Sequence, residues 1–190
     1  MSAILLAPHA DDETLFASYV IQRDRPRVIV CLRSTAQEHR RGTTAAVRVR
    51  ELAAAMGELG ADWAQWSFTD HDPDWSGMEQ AMRTLTASRV YAPAPAFEQN
   101  GHAPGQTPAG FGVLQHDVIG QMALDVFGAE RVTGYTLYSR WGGRTRAVEV
   151  VPEPEWVIGK LRALACYRSQ IEDPATRPHF LEPLREYLTP

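Results

Sequence analysis

The sequence predicts an α/β fold in which a mainly parallel sheet is covered by helices on both faces. Residues 3–7 (AILLA), 28–32 (VIVCL) and 88–92 (SRVYA) are short apolar runs rich in β-branched or aromatic residues, the pattern of strands buried on both sides. Longer stretches of helical periodicity separate them. Strand and helix then alternate along the chain, which implies right-handed crossovers and parallel pairing. The expected architecture is a Rossmann-like three-layer sandwich.

The first run leads into a helix patterned by Leu15, Phe16, Tyr19 and Val20. Residues 44–59 place Ala45, Val49, Leu52, Met56 and Leu59 at three-to-four spacing, and Gly60 follows as a stop. WAQWSF (63–68) precedes the loop TDHDPDWSG and a helix expected from Trp75 to Thr86, whose start is rich in Asp and Ser. Asp74 reads as its cap, while the role of Asp70 stays open. Residues 93–112 are crowded with Pro and Gly, and a loop of that length is usually functional or mobile. A helix is expected near 113–127, strands near 131–138 and 146–151, and a last helix over Pro154–Ser169. Neither a repeat nor a linker interrupts the pattern, so residues 1–190 read as one domain.

Composition narrows the function classes. Apolar residues at 44% and charged ones at 22% are ordinary for a globular chain. A net charge of −4 argues against a phosphate-tracking surface, so no nucleic-acid partner is expected. The basic residues are nearly all arginine, and Lys160 is the only lysine. Cys31 and Cys166 lie far apart without CxxC spacing and read as buried free thiols. The N-terminus lacks a positive region and a long apolar stretch, so the chain is expected to be cytoplasmic, with no membrane partner.

The chemistry concentrates in PHADDE, residues 8–13, at the carboxyl end of the first strand, which is where open α/β sheets bind ligands. His9 and Asp12 are three residues apart across a strand-to-helix turn, so an imidazole nitrogen and a carboxylate oxygen can converge on one cation, with Asp11 beside them. Zn²⁺ accepts that mixed set, although another divalent metal also fits, and a catalytic site keeps a position open for water. His116, at the start of a helix after the long loop, is the third ligand candidate; His102, His71 and His39 compete. A plainer reading also stands: His9 as a buried histidine, and Asp12 with Glu13 as first-turn carboxylates complementing the helix dipole. Three adjacent acids at the end of a buried strand nevertheless need a cation or donors to compensate them.

PHADDE resembles the P-H-x-D-D-E signature of the LmbE-like, or PIG-L-like, zinc-dependent de-N-acetylases. RVRELAAAMGELGAD (48–62) is similar to that family's Arg-x-x-Glu helix ending in a Leu-Gly turn, VYAP (90–93) to its fourth strand, and KLRALACYRSQI (160–171) to its late Lys…Ala-Leu…Ser-Gln helix. The family's second metal motif is His-x-x-His. Here VLQHD keeps Gln115, His116 and Asp117 but has Val113 where the first histidine would stand. The loop RSTAQEHRRG also departs from the family's Thr-x-Gly-type turn.

The resemblance implies hydrolysis of an N-acetyl or other N-acyl group on a small, sugar-containing substrate, with GlcNAc conjugates the usual case. His9, Asp12 and His116 would hold zinc, Asp11 would act as general base, and His102 would replace the missing histidine in stabilising the tetrahedral intermediate. Two alternatives remain at this stage. One is the same zinc hydrolysis on a non-sugar amide or natural-product intermediate. The other is a non-catalytic metal- or nucleotide-binding module, although no GxGxxG follows the first strand. Arg33 and Arg48 read as solvated by default, with an anionic substrate group as the functional alternative. Among the tryptophans, Trp141 in SRWGGRT is the candidate for carbohydrate stacking, and the others read as packing.

Overall fold

The computed structural model describes residues 2–34, 43–95, 111–136, 147–180 and 184–189, with 111–114 described as backbone. In chain order they form β1 (Ala3–Ala7), α1 (Asp12–Asp24), β2 (Arg27–Arg33), α2 (Ala45–Leu59), β3 (Trp63–Thr69), α3 (Trp75–Arg83), β4 (Arg89–Pro93), α4 (Phe111–Phe127), β5 (Val132–Tyr135), β6 (Val148–Glu149), α5 (Pro154–Ala165), α6 (Arg168–Glu172), α7 (Arg177–Phe180) and β7 (Tyr187–Thr189).

One mixed sheet runs in the order β3-β2-β1-β4-β5-β7-β6. β3, β2, β1, β4 and β5 pair in parallel, whereas β7 pairs antiparallel with both β5 and β6. The chain winds outward from β1 through β2 to β3 and then returns to β4 on the other side of β1. That reversal opens a crevice at the carboxyl ends of β1 and β4, the place where such sheets bind ligands.

The apolar runs bury both faces by alternation, which β2 breaks only at Leu32, where its register with β3 shifts. Leu5, Ala7, Val28 and Val30 face a layer formed with Val20, Leu52, Met56, Leu164 and Tyr167. Ile4, Leu6, Ile29 and Cys31 face the opposite layer with Met78, Met82, Ile119 and Phe127. Thr44 caps α2 by accepting from the Val47 N–H at 3.3 Å, and Gly60 ends it in the left-handed conformation (φ 61°) that a residue without Cβ adopts freely.

Several boundaries differ from the sequence expectations. The helix expected over Pro154–Ser169 stops at Ala165, because Tyr167 (φ −85°, ψ 56°) leaves helical geometry and turns its ring into the core; α6 restarts beyond it. Cys31 is buried as expected, but Cys166, at this break, is only half-buried, and both are free thiols. The α3 helix ends at Arg83. β5 and β6 are shorter than expected, and residues 137–146, Trp141 included, lie outside the described residues, as do 96–110 of the Pro/Gly loop. β7 and α7 are additions that the sequence reading did not contain. Among the described residues no helix is long and apolar enough to cross a membrane.

Candidate metal centre at the end of the first strand

After β1 the Pro8 carbonyl accepts from the Leu32 N–H at 2.9 Å, and the chain then turns sharply into α1. The turn is strained at Asp11, whose φ of 133° is a conformation that a side chain with Cβ rarely adopts and that costs on the order of 1–3 kcal/mol. Several bonds hold it there. Arg48 Nη2 donates both to the Ala10 carbonyl and to Asp11 Oδ2, the latter at 2.9 Å. The Asp11 N–H donates to Glu13 Oε2 at 3.0 Å, and the Asp11 carbonyl accepts from the Leu15 N–H at 2.8 Å to begin the helix.

The turn aims His9 and Asp12 at His116 on α4. Asp12 Oδ2 lies 3.3 Å from His9 Nδ1 and 2.9 Å from His116 Nε2, and it also accepts from the His9 backbone N–H at 2.8 Å. One donor atom from each of the three residues falls within 4.8 Å of the others. The approach of α4 depends on Gly120, one turn beyond His116, since a Cβ there would stand 2.2 Å from the Pro93 carbonyl oxygen at the end of β4. Neighbouring donors around a tetrahedral zinc with bonds near 2.0–2.1 Å stand about 3.3 Å apart. The two separations from Asp12 Oδ2, 3.3 and 2.9 Å, are close to that spacing, and two imidazoles with a carboxylate are a donor set that suits a borderline-soft dication.

Gln115 supplies the orientation of His9. Its Nε2 donates to the Asp70 carbonyl at 2.5 Å, which leaves Oε1 to accept from His9 Nε2–H at 2.7 Å. In the neutral ring Nδ1 is then the nitrogen left free to ligate, and Gln115 is the kind of outer partner that fixes a ligand tautomer. In the sequence Gln115 stands out only as the neighbour of His116, which assigns it no role.

The electrostatics suit a cation site. Burial works against a charged His9, yet the Asp12 carboxylate outweighs it and pushes His9 up to about 9. Burial would raise Asp12, but the His116 and His9 imidazoles hold it well below the usual carboxylate range. Asp11 is raised by burial in spite of Arg48, and Glu13 is raised by burial to about 7 against the pull of the Tyr167 hydroxyl. A histidine whose value is raised in the folded state stabilises it fully below the usual 6.5, and that contribution is lost as pH rises through about 9. The metal-free protein should therefore melt at progressively lower temperature between these two values. A metal ligand must be unprotonated, so the Tm gained on adding zinc should grow over the same interval. Differential scanning fluorimetry with and without one equivalent of zinc measures both slopes.

A buried outer ring supports the centre. Glu13 stands in the first turn of α1, as the plainer reading has it, and is fully buried; it accepts from the Tyr167 hydroxyl and from Thr14 Oγ1 at 2.8 Å. Arg48, read by default as a solvated surface arginine, is 2% exposed, because Asp11 and Glu51 pair with it and its guanidinium lies 5.4 Å from the Tyr167 ring centroid. Glu51 accepts from the Ser169 N–H and hydroxyl, both at 2.7 Å, which ties the Arg48 helix to α6.

Of the competing histidines, His71 is exposed on the loop after β3, while His39 and His102 lie outside the described residues, as does the Val113 side chain. Asp74 caps α3 by accepting from the Gly77 N–H at 2.9 Å, as expected. Asp70 reaches the centre through its carbonyl. Arg33 is exposed, and Trp63, Trp66 and Trp75 pack against the two core layers.

The family described as PIG-L: GlcNAc-PI de-N-acetylase matches residues 4–103, just over half of the chain, including the PHADDE turn. No curated protein matches the chain in sequence. Among solved structures, a triple mutant of a deacetylase in the teicoplanin biosynthetic pathway shares the fold with a TM-score of 0.74 at 15% identity, over 99% of this chain and 96% of that one. The A40926 pseudoaglycone deacetylase Dbv21 gives 0.69 at 14% identity, over 100% and 96%. GalB, the 4-carboxy-2-hydroxymuconate hydratase from Pseudomonas putida KT2440, gives 0.64 at 14% identity, over 100% and 95%. At such identities the likeness is one of fold, and the family rests on the sequence match across the first four strands and the turn that carries His9, Asp11 and Asp12. The chain belongs to the PIG-L (GlcNAc-PI de-N-acetylase) family.

Proposed function

We propose that the chain is a zinc-dependent hydrolase that removes an N-acetyl or other N-acyl group from a small, sugar-containing substrate. The observation that carries this reading is the convergence of His9, Asp12 and His116 within 4.8 Å, with Asp11 held beside them by Arg48. Zinc, when bound, supplies an acidified water near neutral pH and a Lewis acid for the acyl oxygen.

Asp11 takes the proton from the attacking water and hands it to the leaving amine. Burial raises its carboxyl while Arg48 keeps the carboxylate aimed, so the group can accept a proton and release it again. Gln115 keeps His9 Nδ1 directed at the metal position. His102 is the proposed donor to the acyl oxygen in place of the histidine absent at Val113. Losing one such donor costs about 3 kcal/mol, roughly a hundredfold in rate.

The family description, a GlcNAc-PI de-N-acetylase, and the teicoplanin and A40926 pseudoaglycone deacetylases of the same fold favour an amino-sugar conjugate over a simple amide. The hydratase GalB shows that the fold does not choose the reaction. A teicoplanin deacetylase of this fold has a zinc-inhibited form, so the assay uses one equivalent of zinc and no excess. Acetate release is measured across N-acetylated amino sugars and their conjugates, natural-product amides and amino-acid amides. The expected result is a kcat/KM for an amino-sugar conjugate at least tenfold above the plain amides. Release from none of them by zinc-loaded protein would overturn the reading.

A further inference from the structure

We propose that the buried Lys160–Glu186 ion pair positions the metal-binding turn by occupying a break in the hydrogen-bond ladder of α1. Ala17 has non-helical dihedrals (φ −141°, ψ 16°) inside that helix. On either side of it lie the Leu15 carbonyl and the Tyr19 N–H, the two groups that a regular α-helix joins to each other. Here Lys160 Nζ donates to the Leu15 carbonyl at 2.8 Å, and Glu186 Oε2 accepts from the Tyr19 N–H at 2.9 Å. The two side chains bond to each other at 2.7 Å, and Ser18 Oγ donates to Glu186 Oε1 at 2.7 Å. Both charged groups are nearly fully buried, Lys160 at 2% and Glu186 at 1% exposed.

A side chain inserted into the ladder is a recognised cause of a helix kink. The first turn of α1, between the kink and β1, carries Asp12 and Glu13. From Ala17 to Asp12 the helix runs about 7 Å, so a bend on the order of 20° moves Asp12 by about 2–3 Å. Metal–ligand distances tolerate only about 0.2 Å. Glu186 is itself fixed by the sheet: its carbonyl accepts from the Val150 N–H at 2.8 Å, and the Tyr187 carbonyl accepts from the Thr136 N–H at 3.0 Å. The antiparallel β7 thus delivers a carboxylate that sets the aim of a helix starting at the metal ligand. Lys160 and Glu186 act through Asp12 and touch no substrate.

This inference rests on the metal reading, and a Co²⁺ titration of the full chain, followed by visible absorption, separates the two. Wild type should saturate at one equivalent; no binding would remove the metal reading and this proposal with it, before any variant is compared. Lys160→Met/Glu186→Gln removes both charges together and should raise the Co²⁺ Kd by about 10–100-fold, the usual cost of losing an outer partner. Met82→Ala, in the opposite core layer, destabilises the fold without touching α1 and should leave the Kd unchanged. Where the double variant lacks a cooperative unfolding transition, Ser18→Ala decides, with a Kd raised by about two- to tenfold. A wild-type Kd in the folded variants, or an equal loss in Met82→Ala, would overturn the positioning role.

Discussion

Asp11→Asn is expected to bind one equivalent of zinc and to turn over at least about a hundredfold more slowly than wild type. General acid–base catalysis contributes about 10²–10⁴-fold, and Asn has no proton affinity with which to supply it. The substitution keeps the shape of the turn, because the amide oxygen can still accept from Arg48 Nη2 where Oδ2 now does at 2.9 Å. It also leaves His9, Asp12 and His116 untouched, so kcat should fall while zinc content and KM stay near the wild-type values. Turnover within tenfold of wild type, with metal bound, would remove Asp11 as the base.

Asp12→Ala should act one step earlier and abolish the centre itself. Its Oδ2 is the hub of the site, accepting from the His9 N–H and facing His9 Nδ1 and His116 Nε2. Without it two imidazoles remain, the charge that balances a dication is gone, and zinc affinity should fall by at least a hundredfold. Activity should vanish with it. The metal-free variant should also lose the pH-dependent stability described above, since the carboxylate that raises His9 is absent. A variant that keeps stoichiometric zinc would place the metal elsewhere.

The strands and the first candidate ligands were legible because they obey local rules. β1, β2 and β4 are buried on both faces and so read as continuous apolar runs, and Gly60 punctuates α2 where its helical spacing ends. PHADDE stood out because its charge density at the end of a buried strand has no cheap local explanation. What stayed hidden depends on distant partners. Arg48 occupies a helix position that reads equally well as solvent-facing, and only the approach of Asp11 and Tyr167 shows that it is buried. The Tyr167 break interrupts a pattern that looks continuous, since neither Cys166 nor Tyr167 is a helix stop signal. Glu186 lies 168 residues from its Ser18 partner, beside a strand too short to carry a period.

Zinc content by elemental analysis, on the full chain purified without chelator and in parallel on Asp12→Ala, tests the metal centre most directly. About one zinc per chain in wild type and close to none in the variant is the expected result. No zinc in wild type after equilibration with one equivalent, or equal zinc in both proteins, would contradict a centre built from His9, Asp12 and His116.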